Sequence, residues 1–205
     1  MDSAGCQIML LLLIFLNVFH CIISYAIHQA AAVIDNLLVI SEDENIFNTA
    51  KQYDVSLVKL KNFFQSTHRN IILYWCPILI ATLVLLATDL ILLFKGYESA
   101  YLNYAISIMF GFGIVYITHI IKIYKYIQYF SFCVLVAYHI NSAEDLNNKW
   151  KTLMLQSDTD ENYNTAQQIL YKQQLNIQKL AEYYDITTNE KIKNSIKDCI
   201  KSLVD

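Results

Sequence analysis

The stretch that decides the fold is residues 101–147, which read YLNYAISIMFGFGIVYITHIIKIYKYIQYFSFCVLVAYHINSAEDLN. Its first part, up to Ile121, carries no Asp, Glu, Lys or Arg. About 20 apolar residues in a helix cross the hydrocarbon core of a bilayer. The second part begins with Lys122 and Lys125 and contains no proline that would end a helix. The stretch therefore predicts one long helix, which crosses a membrane up to Ile121 and continues into the cytosol.

Two other apolar runs predict further transmembrane helices. Residues 7–27 carry no charged side chain, and residues 71–94 carry only Asp89. A secretory signal peptide is the competing interpretation of the first run. The lack of a basic residue before this run favours a retained span. The chain is 56% hydrophobic and 16% charged, whereas soluble domains are about a quarter charged. We therefore expect an all-α polytopic membrane protein.

The segments outside the three runs predict helices with one apolar face. In the loop 28–70, a turn at Ser41–Glu44 precedes one amphipathic helix. Its apolar face has residues spaced by four and three, namely Ile46, Ala50, Tyr53, Leu57, Leu60 and Phe64. A similar face follows the third run, formed by Tyr126, Tyr129, Phe130, Cys133, Val134 and Ala137. Further helices are expected at about 166–184 and 190–204. The chain thus divides into a transmembrane region, 1–125, and a cytosolic helical extension and tail, 126–205.

The distribution of basic residues predicts the orientation. Lys and Arg number four between the first two runs, one in the 95–100 turn, and ten from Lys122 to the end. Cytoplasmic segments of membrane proteins carry the excess of Lys and Arg. We therefore expect the loop 28–70 and residues 122–205 in the cytosol, and the 95–100 turn outside the cell.

The sequence contains no enzymatic motif that we recognise. It lacks a metalloprotease helix, a phosphate-binding loop and a nucleophile elbow. Its five cysteines form no Cys-x-x-Cys pair, which argues against a zinc site and favours buried free thiols. The net charge of −3 does not suggest a nucleic-acid partner. We expect a protein that is not an enzyme and has no catalytic residues, metal or cofactor.

Asp89 is the most informative single residue, because a carboxylate within an apolar run is costly to bury in lipid. Such a group faces other protein or a water-filled cavity. Thr82 shares its helix face at a spacing of seven, and Tyr101 and Tyr104 lie across the 95–100 turn. These four residues are the predicted ligand-binding group. A structural hydrogen bond for Asp89 and an interfacial tyrosine belt are the alternative interpretations.

Three short segments resemble elements of the insect gustatory receptors, seven-span members of the insect chemoreceptor superfamily. IDNLL at 34–38 looks like their first cytoplasmic loop, and LNNKW at 146–150 looks like the LN-containing element after their fourth span. YKQQL at 171–175 is similar in its place after a variable loop rich in Asp and Asn. The resemblance covers about residues 7–185 and implies the family's spans two to four with the following loop.

What the resemblance implies is a fragment or truncated form of a chemosensory receptor. Family members resemble tetrameric ligand-gated cation channels whose last span lines the pore, and that span's Thr-Tyr…Gln-Phe element has no counterpart here. We therefore expect a plasma-membrane, multi-pass channel subunit without the pore-lining span. Its expected partners are membrane lipids, a small-molecule tastant in a complete receptor, and homo- or hetero-oligomers formed through cytosolic helices. The alternative is a small multi-span membrane adaptor whose cytosolic helices bind a partner protein.

Overall fold

The computed structural model describes residues 3–66, 87, 100–155 and 160–204. These residues are helical apart from short connections, and no strand occurs among them. The helices are α1 (Ser3–Ile40), α2 (Glu44–Tyr53), α3 (described over 56–66), α4 (Ala100–Met154), α5 (Asp160–Ile186) and α6 (Glu190–Val204). The predicted all-α class is confirmed.

The longest element, α4, confirms the prediction of one continuous helix over residues 101–147. It has 55 residues and continues beyond the predicted end to Met154. No proline removes a backbone donor along it, and its last turn contains Lys151, which suits the negative end of a helix dipole. The helix therefore changes from an apolar to a mixed composition without a break in its backbone.

The chain forms two compact units, and α1 and α4 each contribute residues to both. Unit 1 comprises Met1–Asn36 and Phe63–Ile127, and unit 2 comprises Leu37–Asn62 and Gln128–Asp205. Within unit 1, the Phe63 ring meets the Tyr126 ring edge-on at 6.2 Å between centroids. Unit 2 contains α2, α5, α6 and the second half of α4, with α6 packed against both α2 and α5.

The second half of α4 is the central helix of unit 2. Its buried side chains are Phe130, Cys133, Val134, Val136, Ala137, Ile140, Ala143 and Leu146. At about 100° per residue these positions extend over more than half of the helix circumference. The predicted packing face is therefore buried within the chain itself, although Tyr126 at its start is exposed.

The single amphipathic helix predicted over 46–64 is wrong, because the structure divides it at Asp54. The backbone of Asp54 is extended, with φ −155° and ψ 119°, and its carboxylate Oδ1 accepts a hydrogen bond from the Ser56 amide at 2.7 Å. Asp54 thus ends α2 and caps α3. The predicted start is confirmed, since Asp43 caps α2 by accepting from the Asn45 amide at 2.9 Å.

Two other boundaries differ from the predicted ones. Helix α1 continues beyond the apolar run to Ile40. In this added part, Ala30, Ile34 and Leu37 recur at helical spacing and are buried. Helix α5 begins at Asp160, earlier than the predicted residue 166. Asp160 and Glu161, which belong to the expected loop rich in Asp and Asn, stand instead in the first turn of a helix, where negative charge is favourable. Helix α6 has the predicted bounds, 190–204.

None of the helices in the part of the chain that the structure describes combines the length and the apolar character needed to cross a membrane.

One of the three predicted transmembrane runs lies almost wholly outside that part, and the other two are described mainly by their backbone. The run 71–94 lies outside the described residues apart from residue 87, and so does the turn before residue 100. Over 7–27 and 101–121 the backbone is helical, and most of the side chains lie outside the described set.

Candidate functional site

The four residues of the predicted ligand-binding group are not brought together by the described structure. Thr82 and Asp89 lie outside the described residues. Tyr101 and Tyr104 occupy the first two turns of α4, and the structure describes only their backbone. The ligand-binding group therefore stays a prediction. The polar side chains that the structure does bring together lie in unit 2, in two clusters.

The first cluster joins α4 to α5 and is called here the amide cluster: His139, Ser142, Gln173 and Asn176. The Asn176 side chain is 8% exposed and bonds in two directions. Its Nδ2 donates to Ser142 Oγ at 3.0 Å, and its Oδ1 lies 3.0 Å from His139 Nδ1. An amide oxygen can only accept a hydrogen bond, so His139 Nδ1 carries the proton in this contact.

The spacing of these residues explains why they meet. His139 and Ser142 are three residues apart on α4, and Gln173 and Asn176 are three apart on α5, so each pair shares one helix face. Gln173 Nε2 donates to the backbone oxygen of Ala143 at 3.2 Å, one position beyond Ser142. Small residues at 142 and 143 let the amides of α5 approach the α4 backbone. The cluster fixes the register between the two helices.

Aromatic rings enclose the His139 side of the amide cluster. The Tyr138 ring lies edge-on to the imidazole at 5.3 Å, and the Tyr183 ring is tilted towards it at 5.8 Å. Tyr183 also makes an edge-on contact with Phe132 at 5.4 Å. Burial raises the pKa of the Tyr183 phenol, so this group is a neutral wall at physiological pH.

The second cluster joins the α2–α3 turn to α4 and is called here the Asp54 cluster: Asp54, Ser56 and Tyr129. The Tyr129 hydroxyl donates to Asp54 Oδ2 at 2.7 Å, while the Ser56 amide occupies Oδ1. The Ser56 amide, followed by the Tyr129 hydroxyl, holds the pKa of Asp54 below its ordinary value. Burial and the bond to Asp54 raise the pKa of Tyr129. The pair therefore consists of a carboxylate and a neutral phenol.

Buried thiols lie behind the Asp54 cluster. Burial raises the pKa of Cys133 to about 11, and it raises the pKa of Cys199 on α6 to about 11 as well. Thiols with such values stay protonated at neutral pH and are poor nucleophiles. The prediction of buried free thiols is confirmed for these two residues and is wrong for Cys21, which is exposed.

Tyr53 places one further polar group in the same region. Its side chain is 3% exposed, and burial raises the pKa of its phenol. Ser195 of α6 opposes this rise, although the phenol oxygen has no partner within ordinary hydrogen-bond geometry. The Tyr53 ring is buried in unit 2, where α2 packs against α6.

Sequence reasoning missed both clusters. It assigned Tyr129 to an apolar face, and it gave no role to Asp54, His139 or Asn176. Asp54 and Tyr129 are 75 residues apart, and no spacing rule connects them. The one available signal was the pair Asp54–Ser56, since an Asx residue two positions before a helical amide is a common cap.

The chemistry that these clusters offer is recognition and positioning. Among the described residues, no group of three or more His, Cys, Asp or Glu side chains is placed to hold a metal ion. Most polar atoms of both clusters bond to each other or to the backbone, and so they join helices, whereas Gln173 Oε1 is buried without a hydrogen-bond partner. Comparison with protein-family models, with curated proteins and with solved structures finds no match to this chain.

Proposed function

We propose that this chain is a multi-pass plasma-membrane protein of the chemosensory-receptor type, a subunit related to ligand-gated cation channels. In this proposal residues 126–205 are its cytosolic helical extension. The observation that supports it best is the composition of unit 2, which packs residues 37–62 together with residues 128–205. Segments outside the spans that pack on one another lie on the same side of a membrane, and in this proposal both parts of unit 2 are outside the spans. The distribution of Lys and Arg favours the same arrangement independently.

The length of α4 agrees with this topology. At 1.5 Å per residue, its 55 residues extend over about 80 Å, whereas the hydrocarbon core of a bilayer is about 30 Å thick. A helix of this length has room for one crossing by residues 101–121 and for a further part in water. The described side chains around the expected inner boundary, Lys122 and Lys125, are exposed.

The ligand proposed for the receptor is a small organic molecule. Its proposed contacts are Asp89, Thr82, Tyr101 and Tyr104 in the outer halves of the spans. Binding pockets commonly combine an apolar lining with a few placed polar groups, which is the composition of this set. The carboxylate of Asp89 would select ligands that carry a cation or several hydrogen-bond donors.

The alternative, a membrane adaptor, has one observation in its favour. On α5, Tyr163, Leu170 and Tyr171 are 62%, 53% and 66% exposed. Exposed apolar patches often mark protein interaction sites. An adaptor would bind a partner protein there and would have no small-molecule ligand.

Glycosylation mapping in microsomes tests the proposed topology. Ala166→Thr creates an Asn-x-Thr sequon at the exposed residue Asn164, and we expect this site to stay unmodified. The matched control carries a sequon on a flexible linker inserted in the 95–100 turn, and we expect it to be glycosylated. Glycosylation at Asn164 would contradict the proposal.

Thermal unfolding of the detergent-solubilised chain separates the receptor from the adaptor. A bound ligand stabilises the folded state in proportion to the logarithm of its concentration. We expect at least one compound from a panel of cationic organic tastants to raise the melting temperature. Asp89→Asn should abolish the shift, and Lys95→Gln should retain it. No shift with any compound, or an equal shift in the Asp89→Asn variant, would count against the receptor.

A further inference from the structure

The segment of α4 that follows the third apolar run carries basic and aromatic side chains on its surface. Lys122 and Lys125 come directly after Ile121, and all three side chains are exposed. Tyr124 and Tyr126 stand between and after the two lysines and are 43% and 46% exposed. Within about one turn, the helix therefore changes from a run without Asp, Glu, Lys or Arg to a basic and aromatic segment.

Three of these side chains share one side of α4, called here the basic face: Lys122, Lys125 and Tyr126. Positions three and four apart on a helix are neighbours, so both Lys125 and Tyr126 adjoin Lys122. At about 100° per residue, the three positions lie within an arc of about 100°. The edge-on contact of the Phe63 ring with the Tyr126 ring, within unit 1, holds one border of this face in place.

The two ammonium groups of the basic face are free to bind an anion. In the part of the chain that the structure describes, ion pairs occupy Lys149, Lys179 and Lys193, and neither Lys122 nor Lys125 takes part in one. Two exposed cations one turn apart attract an anionic group that can reach both of them. The basic face therefore has the charge and the spacing of an anion-binding surface.

The place of the basic face along α4 indicates which anion it binds. In the proposed topology Ile121 ends a span, so Lys122 and Lys125 lie at the cytoplasmic surface of the bilayer. Anionic phospholipids of that leaflet attract Lys and Arg side chains close to the surface. Exposed tyrosines suit the same depth, because their rings contact acyl chains while their hydroxyls reach the headgroups. A soluble anion would need the lysines and not the rings.

We infer that the basic face binds the headgroup of an anionic phospholipid in the cytoplasmic leaflet. This inference rests on the proposed multi-pass topology and names the class of lipid that contacts the chain where α4 leaves the membrane. The two lysines supply the attraction to the headgroup, and the tyrosine supported by Phe63 sets the depth at which the headgroup is met.

Lipid titration of the full chain in detergent tests the headgroup. Short-chain phosphatidylserine and short-chain phosphatidylcholine are added separately, and the melting temperature at each concentration gives an apparent dissociation constant. We expect phosphatidylserine to bind about 25-fold more tightly, since each lysine near an anionic surface contributes about fivefold. Equal affinities for the two lipids, or an equal shift caused by inorganic phosphate, would overturn the proposal.

Paired substitutions test whether the preference belongs to the basic face. Lys122→Gln combined with Lys125→Gln should remove most of it, whereas Lys122→Arg combined with Lys125→Arg keeps both charges and should retain it. The matched control combines Lys149→Gln with Lys151→Gln, at exposed positions about 40 Å further along α4 at 1.5 Å per residue. A preference that survives the first pair, or that the control loses equally, would overturn the assignment.

Alkaline extraction of membranes separates this inference from the proposed function. A multi-pass chain stays in the membrane pellet at high pH whichever headgroup it binds. The parent chain and the Lys122→Gln, Lys125→Gln variant should therefore both stay there. Retention without a preference for phosphatidylserine would overturn the lipid site alone, whereas release of the parent chain would overturn the multi-pass proposal on which the site depends.

Discussion

The amide cluster and the Asp54 cluster join helices to the same central α4 by different chemistry. The Asn176–Ser142 bond of the amide cluster joins two uncharged side chains, and Asn176 is buried. The Asp54 cluster is charged and partly exposed, and its carboxylate is shared between a backbone amide and a phenol. A buried neutral contact is insensitive to salt, and removing one of its partners lowers the stability of the fold substantially. A charged contact at the surface depends on pH, and removing one of its partners lowers the stability of the fold less.

Both clusters depend on the apolar packing of α4, and Phe130 sets the scale for that packing. Phe130 is 0% exposed. Phe130→Ala should lower the free energy of unfolding of unit 2 by about 3–5 kcal/mol, because it leaves a cavity. Pulse proteolysis of the full chain in increasing urea measures this. Met154→Ala, at a 65% exposed position of α4 in unit 2, is the control and should cost less than about 1 kcal/mol. Equal losses would contradict a central position for α4.

Removing Asn176 breaks the amide cluster. Asn176→Ala should cost about 1–3 kcal/mol, since it leaves the His139 N–H and the Ser142 hydroxyl without their partner. A double-mutant cycle with Ser142→Ala should give a coupling energy of about 0.5–1.5 kcal/mol. Gln178→Ala, at an exposed position of the same helix, should change stability by less than about 0.5 kcal/mol. If the stability losses of Ser142→Ala and Asn176→Ala are additive, the hydrogen bond between these two side chains does not stabilise the fold.

Tyr129→Phe removes one bond from the Asp54 cluster and should cost about 0.5–1.5 kcal/mol at neutral pH. The pKa of Asp54 is lower in the folded chain than its ordinary 3.8. Its stabilising contribution is therefore complete above that value and is lost as pH falls through the folded pKa. The cost of Tyr129→Phe should therefore shrink as pH falls through the folded pKa of Asp54. A cost that does not fall as the pH is lowered, up to the acid unfolding of the chain, would contradict a charged contact.

The smallest effect is expected at an isolated surface ion pair. Lys149 Nζ lies 2.6 Å from Asp145 Oδ2 on α4, and the two side chains are 62% and 59% exposed. Lys149→Ala should cost no more than about 0.5 kcal/mol, and the cost should fall with added salt. Urea titrations at low and high ionic strength measure it. A loss of unfolding free energy as large as that of Asn176→Ala would show that the exposure of a contact does not determine how much it stabilises the fold.

Periodicity predicted the local structure well. The course of α4 from residue 101, the bounds of α6 and the cap region at Ser41–Glu44 are confirmed, because each depends on signals within one or two helical turns. The division of the amphipathic segment at Asp54 was missed, although its apolar face is preserved on both sides of the break. Ile46, Ala50, Tyr53, Leu57 and Phe64 all remain buried.

Long-range pairing could not be predicted. The contacts of Tyr129 with Asp54 and of His139 with Asn176 join residues 75 and 37 positions apart. Periodicity states which face of a helix is apolar and does not state which helix covers it. The predicted ligand-binding residues illustrate the same limit. The spacing of seven placed Thr82 and Asp89 on one face of a helix. Whether Tyr101 lies near them depends on how two helices pack, which spacing along the sequence does not determine.

The central claim is that residues 37–62 and 128–205 form one unit on one side of the membrane. Asn141 Nδ2 on α4 donates to Thr49 Oγ1 on α2 at 3.4 Å, which makes these two positions a direct probe. The measurement uses the Thr49→Cys, Asn141→Cys double variant in intact membranes, a short thiol-reactive cross-linker, and a protease site inserted in the 95–100 turn. We predict that the two fragments stay covalently joined after cleavage. The Lys51→Cys, Asn141→Cys control, with residue 51 exposed, should separate. Separation of both variants alike would contradict the unit and the topology that depends on it.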